Sequence, residues 1–267
     1  MLVPYRTSFN GKLDRLSSLI DRLRVQVSNA LVGETGRESA NFTIIENQSG
    51  DLRLVFCPLR EEVECEFADR EPGIGETALV AANIRISGIG KQLINALPQC
   101  IAIPLAEDAN LTAVVAPLIE EATQPRCGGQ AAFQRLCEVV VIRLLRHAME
   151  QGKADTGLLN GLAHPRIAAA LVAVHEAPGE NWTLEKLAET AGMSRTQFAV
   201  TFKDRVGITP MGYLSGWRLD IARAELEAGR QVKSVATLCG FASPAAFSRA
   251  FSRRFGYPPK QGRGQAA

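Results

Sequence analysis

The chain has 267 residues, 46% hydrophobic and 22% charged, ordinary values for a soluble globular protein larger than one typical domain. No apolar run approaches the ~18 residues of a membrane span, and Met1–Asn10 lacks a signal-peptide core, so a cytoplasmic protein with reduced thiols and no membrane partner is expected. The net charge of +2 is uneven: residues 1–105 hold 11 basic and 13 acidic side chains and residues 161–267 hold 14 and 8, and a basic segment attracts polyanions.

Residues 11–30 carry a helical pattern in Leu13, Leu16, Leu19, Ile20 and Leu23, followed by Val25 and Val27. From Asn41 to about Leu105 the period shortens to two. Leu52, Leu54 and Phe56 alternate with Arg53, Val55 and Cys57, and Val63, Cys65 and Phe67 with Glu62, Glu64 and Glu66. Ala78–Ser87 and Cys100–Leu105 add two strands, and the whole predicts a small antiparallel sheet or barrel. Two amphipathic helices follow, one striped by Leu111, Val114, Val115, Leu118 and Ile119, the other by Phe133, Leu136, Val140, Leu144 and Ala148. Pro125, Gly128 and Gly129 break them into a hairpin, whose stripes suit a core or a dimer interface. Residues 152–165 read as a linker, and the chain is helical from Arg166 onward.

This last segment repeats itself. Ala188, Gly192, Phe198, Phe202, Gly207 and Pro210 recur as Ala236, Gly240, Phe247, Phe251, Gly256 and Pro259. Each copy reads helix, glycine turn, helix. Thr183 caps the first helix, Ser194-x-x-Gln197 forms a capping box, and Ser243 with Pro244 opens the corresponding helix of the second copy. Phe198, Phe202 and Val206 face inward, as do Phe247, Phe251 and Phe255. Arg195, Thr196, Ala199, Lys203 and Arg205 face out in the first copy, with Val200 near the margin; Ala245, Ser248, Arg249, Ser252 and Arg253 do so in the second. Short and basic residues at a helix start suit a groove about 12 Å wide. Thr209 and Pro210 begin a helix of roughly 18 residues, about 27 Å long, a strut able to space two such helices near one turn of DNA, about 34 Å.

These residues resemble the AraC/XylS family of bacterial transcription regulators. The likeness covers residues 166–264, through Leu187-Ala188, Gly192-Met193-Ser194, Phe198, Phe202, Gly207, Pro210, Tyr213-Leu214, Trp217-Arg218, Gly240-Phe241, Ser243, Phe247, Arg249-Ala250-Phe251 and Phe255-Gly256. Residues 11–150 more loosely resemble members with a cupin-like barrel and a helical hairpin. The resemblance implies an α+β protein: a cupin-like regulatory domain at 1–105, a hairpin at 106–151, a linker at 152–165 and a bipartite helix-turn-helix domain at 166–267. It implies a non-enzymatic, effector-responsive activator, with promoter DNA, RNA polymerase and a second copy of the chain as partners. DNA contacts are expected from Arg195, Thr196, Gln197, Val200 and Lys203 in the first copy and from Ala245, Ser248, Arg249 and Arg253 in the second. The family commonly has arginine where Val200 stands, so Arg249 should carry more base readout, while Lys203 and Arg253 suit phosphates.

The regulatory half is less legible. His147, His164 and His175 all lie beyond the barrel, which excludes a histidine-held metal there, and no cofactor or nucleophile–base signature appears. His175 sits on an apolar helix and reads as structural. Two effector readings follow. One is an anionic small molecule such as cyclic di-GMP, met by Arg15, Arg22, Arg24, Arg37 and Arg53, although Arg22-x-Arg24 stands in place of the Arg-x-x-x-Arg associated with that nucleotide. The other is redox sensing through Cys57 and Cys65 on neighbouring strands. A cupin-like binding module or enzyme with a vestigial tail is the rival from another class.

Overall fold

Period-two alternation builds the sheet. In this computed structural model, which describes residues 8–9, 12–28, 40–59, 75–88, 97–124, 126–151 and 157–261, seven strands occur among those residues. β1 (Ser8–Phe9) and β2 (Lys12–Leu13) form a small ladder of their own. The larger sheet has the order β3 (Leu23–Ser28), β6 (Thr77–Gly88), β4 (Phe42–Glu46), β5 (Leu52–Phe56), β7 (Ile101–Pro104). β4 runs antiparallel to β5 and β6, and β5 antiparallel to β7. Register sets Phe42 opposite Phe56, and the two buried rings meet edge to face with centroids 6.3 Å apart.

The chain divides into two compact units. Arg24–Ala154 forms the sheet unit; the other joins the described part of Met1–Leu23 to Asp155–Ala267. In the sheet unit, α2 (Ala109–Thr123) and α3 (Gly129–Gln151) form the expected helical pair and bury Leu111, Val115, Leu118, Val140 and Leu144. Gln134 of α3 accepts from the Val27 N–H at 3.0 Å and donates to the Val25 carbonyl at 2.8 Å. Its amide thus supplies both hydrogen bonds that an edge strand lacks.

Residues 11–30 are not one helix. Among the described residues of that stretch only α1 (Ser17–Ile20) is helical, and Leu23, Val25 and Val27 alternate along β3 with the more exposed Arg24, Gln26 and Ser28. Two β-branched residues at alternate positions favour the pleated surface over the helix. Nor do residues 13–23 group with the sheet: Leu16 and Leu19 are buried in the helical unit, and Arg15 donates to the carbonyls of Leu162 and Ala163, each at 3.0 Å. The strand expected around Val63–Phe67 lies outside the described residues.

The stretch expected as a linker holds a helix, α4 (Leu158–Ala163), that buries Leu158, Leu159 and Leu162. Gly161 is a packing residue there. A Cβ would lie 2.7 Å from a Val206 methyl and 2.9 Å from a Leu171 methyl. The remaining helices are α5 (Pro165–Glu176), α6 (Leu184–Thr190), α7 (Arg195–Val206), α8 (Pro210–Glu227), α9 (Val232–Leu238) and α10 (Pro244–Phe255). Among the described residues, no helix is long and apolar enough to cross a membrane.

α8 organises this unit. Its Trp217 is fully buried, with the His175 ring 4.4 Å away, and its Tyr213 hydroxyl lies 2.6 Å from His175 Nε2. On the flank of α8, Arg218 Nε donates to the Pro178 carbonyl and Nη2 to that of Glu180, both at 2.7 Å, while Nη1 lies 3.5 Å from the Gly240 carbonyl. Burial lowers this guanidinium's pKa from its ordinary value.

Burial also pushes His175 down from 6.5 to about 3, with the Arg22 charge a lesser cause. The folded unit therefore keeps this imidazole neutral where the unfolded chain protonates it. Stability from this source is complete above pH 6.5 and falls as the pH drops toward 3, by up to about 1.4 kcal/mol per pH unit. Denaturant titrations at stepped pH should show that slope, and His175→Gln should flatten it; an unchanged slope would assign the acid sensitivity elsewhere. Arg218→Met strands two carbonyls and should cost about 2 kcal/mol. Differential scanning calorimetry should record a Tm drop on the order of 10 °C for the helical unit, and an unaltered Tm would deny Arg218 its bridging role.

Candidate nucleic-acid interface

The two copies of the repeat fold with the same backbone hydrogen bonds. In the first turn the Met193 N–H donates to the Ala188 carbonyl at 2.9 Å; in the second, Phe241 donates to Ala236 at 3.0 Å. Gly192 and Gly240 adopt φ of 61° and 70°, the left-handed conformation that the turn demands. The serine and threonine caps are in place, and of the expected Ser194–Gln197 capping box the bond to Ser194 Oγ is the one made among the described residues. Thr183 accepts from the Lys186 N–H, Ser194 from Gln197, Thr209 from Gly212 and Ser243 from Ala246, at 3.1–3.3 Å.

Behind each exposed helix stands an aromatic wall. Phe198 and Phe202 of α7 are buried, and Phe202 meets Tyr213 of α8 with ring centroids 5.8 Å apart. Phe247 and Phe251 of α10 are buried, Phe251 contacts Tyr257, and Arg223 of α8 lies over the Phe255 ring at 5.1 Å. Both recognition helices thus rest on α8, whose 18 residues match the expected strut.

The outward faces differ. On α7, Arg195, Thr196, Gln197 and Lys203 are exposed, and Val200 is 56% exposed. Val200 therefore lies on the solvent face and takes no core role. On α10, Ala245, Arg249 and Arg253 are exposed and Ser248 is half-buried. The two leading arginines are held differently. Arg195 Nη1 lies 3.0 Å from Glu185 Oε1 on α6, and the hydrogen bond from Arg195 holds the Glu185 carboxyl below its ordinary pKa. Arg249 makes no ion pair or hydrogen bond among the described residues. Both members of the Glu185–Arg195 pair are exposed, so solvent screens it and it holds the arginine only weakly. Sequence inspection missed Glu185: it precedes Arg195 by ten residues and meets it only across the folded turn.

The regulatory residues are more scattered. Arg15 is engaged by the carbonyls of α4, and Arg22 lies in the same helical unit. Arg24 and Arg53 belong to the sheet unit, and Arg53 pairs with Glu76 at 3.0 Å. Arg53 and Glu76 line an open hollow of about 420 Å³ together with Ile45, Asn47, Asp51 and Leu52. Arg37 and Cys65 lie outside the described residues. Cys57 is buried at the end of β5, and its sulfur lies 3.1 Å from that of Cys100.

Comparison with known proteins covers both units. Residues 187–265 match the family described as a helix-turn-helix domain, and residues 37–150 match one described as cupin. The chain is 30% identical over 211 residues to the RCS-specific HTH-type transcriptional activator RclR of Escherichia coli K12, which spans 77% of this chain and 73% of that protein. It is 34% identical over 185 residues to the HTH-type transcriptional regulator AlkR of Acinetobacter baylyi, covering 67% of this chain and 60% of AlkR. A solved transcriptional regulator from Chromobacterium violaceum, described as AraC-type, is 28% identical, with a TM-score of 0.37 over 39% of this chain and 93% of that one. The chain spans 56% of a putative AraC-like transcription regulator of Streptomyces lividans, little more than half its length. On the relation to RclR, which extends over most of both proteins, the chain belongs to the AraC/XylS family of transcriptional regulators.

Proposed function

We propose that this chain is a sequence-specific DNA-binding activator that reads two adjacent major-groove segments through α7 and α10 and answers to an effector held by its sheet unit. The observation that carries the reading is the pair of similarly built helix-turn-helix units on one strut, each showing basic and small side chains outward. In this reading Arg249 reads a base edge, because no protein partner among the described residues competes for its guanidinium. Lys203 and Arg253 meet phosphates, and Val200 meets a thymine methyl. Activation, with RNA polymerase as partner, draws support from the name of RclR as a transcriptional activator. A second copy of the chain would dock on the helical pair, where Val139 of α3 is 40% exposed.

A gel-shift salt series tests the DNA reading. If about four phosphates are neutralised, affinity should fall about a hundredfold between 50 and 200 mM salt. Arg249→Ala should cost about 1–3 kcal/mol of discrimination between target and random DNA. Lys203→Ala should weaken both alike and reduce the salt slope by about one. Unchanged discrimination in the Arg249→Ala protein would remove α10 as the principal reader.

An anionic effector such as cyclic di-GMP finds support in Arg53, which lines the hollow in the sheet unit. Asp51 and Glu76 share that hollow and oppose a dianion. Native mass spectrometry decides between these influences. A bound cyclic di-GMP mass that Arg53→Ala abolishes would support the anionic reading, and no bound mass at saturating nucleotide would end it.

A further inference from the structure

The ladder between β5 and β7 ends with Phe56 opposite Ile101. One step further along the same register brings Cys57 opposite Cys100. The backbone is pinned there, since the Cys57 N–H donates to the Asn41 carbonyl at 2.8 Å and extends β5 beyond its last paired residue. The sulfurs lie 3.1 Å apart, packed with Val55 and Ile45. Directly opposed residues of antiparallel strands have Cα atoms about 4.5–5.5 Å apart, within the range of about 4.4–6.8 Å that a disulfide spans. Bond formation therefore requires the sulfurs to close by about 1 Å without re-registering the strands.

We propose that Cys57 and Cys100 form a reversible dithiol–disulfide pair, a modification site for peroxides at the end of the β5–β7 ladder. Cys57 is buried and Cys100 partly exposed, so the oxidant reaches Cys100 first. The Cys100 thiol gives up its proton and the thiolate attacks one peroxide oxygen; the O–O bond breaks, and the departing hydroxide takes that proton, leaving a sulfenic acid and one water. The Cys57 sulfur then attacks the Cys100 sulfur. The S–S bond forms, the S–O bond breaks, and the departing hydroxide takes the Cys57 proton as a second water. Two thiols give up two electrons and the peroxide accepts two. A dithiol reductant reverses the step by exchange.

The other described cysteines are placed differently. Cys137 and Cys239 are fully buried, and burial pushes both thiols up to about 12, which leaves them poor nucleophiles. Cys127 is exposed. The pairing differs from that expected between Cys57 and Cys65: Cys65 lies outside the described residues, and the β5–β7 register leads from Phe56 and Ile101 to Cys57 and Cys100. It goes beyond the DNA-binding reading and stands or falls independently of it.

The test is thiol mapping of the full chain, reduced and then treated with hydrogen peroxide. The thiol count should fall from six to four, and a reductant should restore it. Proteolysis after alkylation should yield one linked peptide joining Cys57 to Cys100. Cys57→Ser should leave a sulfenic acid on Cys100 that dimedone traps, and Cys127→Ser should leave the linkage intact. Six thiols remaining after treatment would overturn the proposal, as would a linkage to Cys65 or an intermolecular dimer through Cys127. Because the linked peptide is sought in the unmodified sequence, the outcome does not depend on whether any variant folds.

Discussion

The guanidinium of Arg218 sits where three segments of the helical unit meet: the flank of α8, the carbonyls of Pro178 and Glu180 ahead of the first helix-turn-helix, and the turn of the second. A cation among partly buried carbonyls is well placed only if each hydrogen bond is made, because an unmade one leaves a polar group without solvent or partner. The contact is tight enough to dictate composition. A Cβ on Gly240 would lie 2.6 Å from the Gly179 carbonyl oxygen and 2.9 Å from Arg218 itself, and one on Gly179 would lie 2.6 Å from the Leu238 carbonyl oxygen. Gly240 thus serves twice, once for its left-handed backbone and once for the close approach. α8 spaces the two reading helices, and Arg218 prevents the second from swinging on the end of that strut.

On this frame the copies are equal in scaffold and unequal in surface. The Thr183 cap of α6 has no side-chain counterpart at Gln231 of the second copy, whereas the glycine turns, the serine caps of α7 and α10 and the phenylalanine walls repeat. The outward positions do not: α7 presents a valine and an arginine already leaning on Glu185, whereas α10 presents an arginine with no claim on it among the described residues. An unengaged guanidinium surrenders no existing bond when it meets a base edge, which is the physical ground for the readout proposed for α10. Polar residues that end as structure show the opposite case. His175, buried against Tyr213 and Trp217, is held neutral, and Arg15 is spent on backbone carbonyls.

The sheet unit follows a different logic, in which side-chain amides complete the backbone ladder. Asn41 exchanges two hydrogen bonds with the backbone of Ile84, at 2.8 and 2.9 Å, and Gln134 does the same for Val25 and Val27. Such bridges keep short strands in register where neighbouring main chain is missing. The same register brings Cys57 and Cys100 face to face, although 43 residues separate them in sequence.

What the amino-acid order determined alone was whatever depends on near neighbours. Glycine at a left-handed turn, serine or threonine three residues before a free N–H, proline at a first helical position and phenylalanine every fourth residue act within one or two turns of chain. The repeat, its caps and the strut were therefore legible in full, as were β5, β6, β7 and the helical pair. Local pattern failed where two periodicities were both satisfied, as across residues 11–30, and where glycines that read as punctuation at 152–165 proved in part to be packing residues. Only the tertiary structure decided which distant groups meet: Arg218 with Pro178 and Glu180, Arg195 with Glu185, Arg15 with α4, and Cys57 with Cys100. Those pairings act through space over a few ångströms, and no spacing along the chain encodes them until the elements have packed.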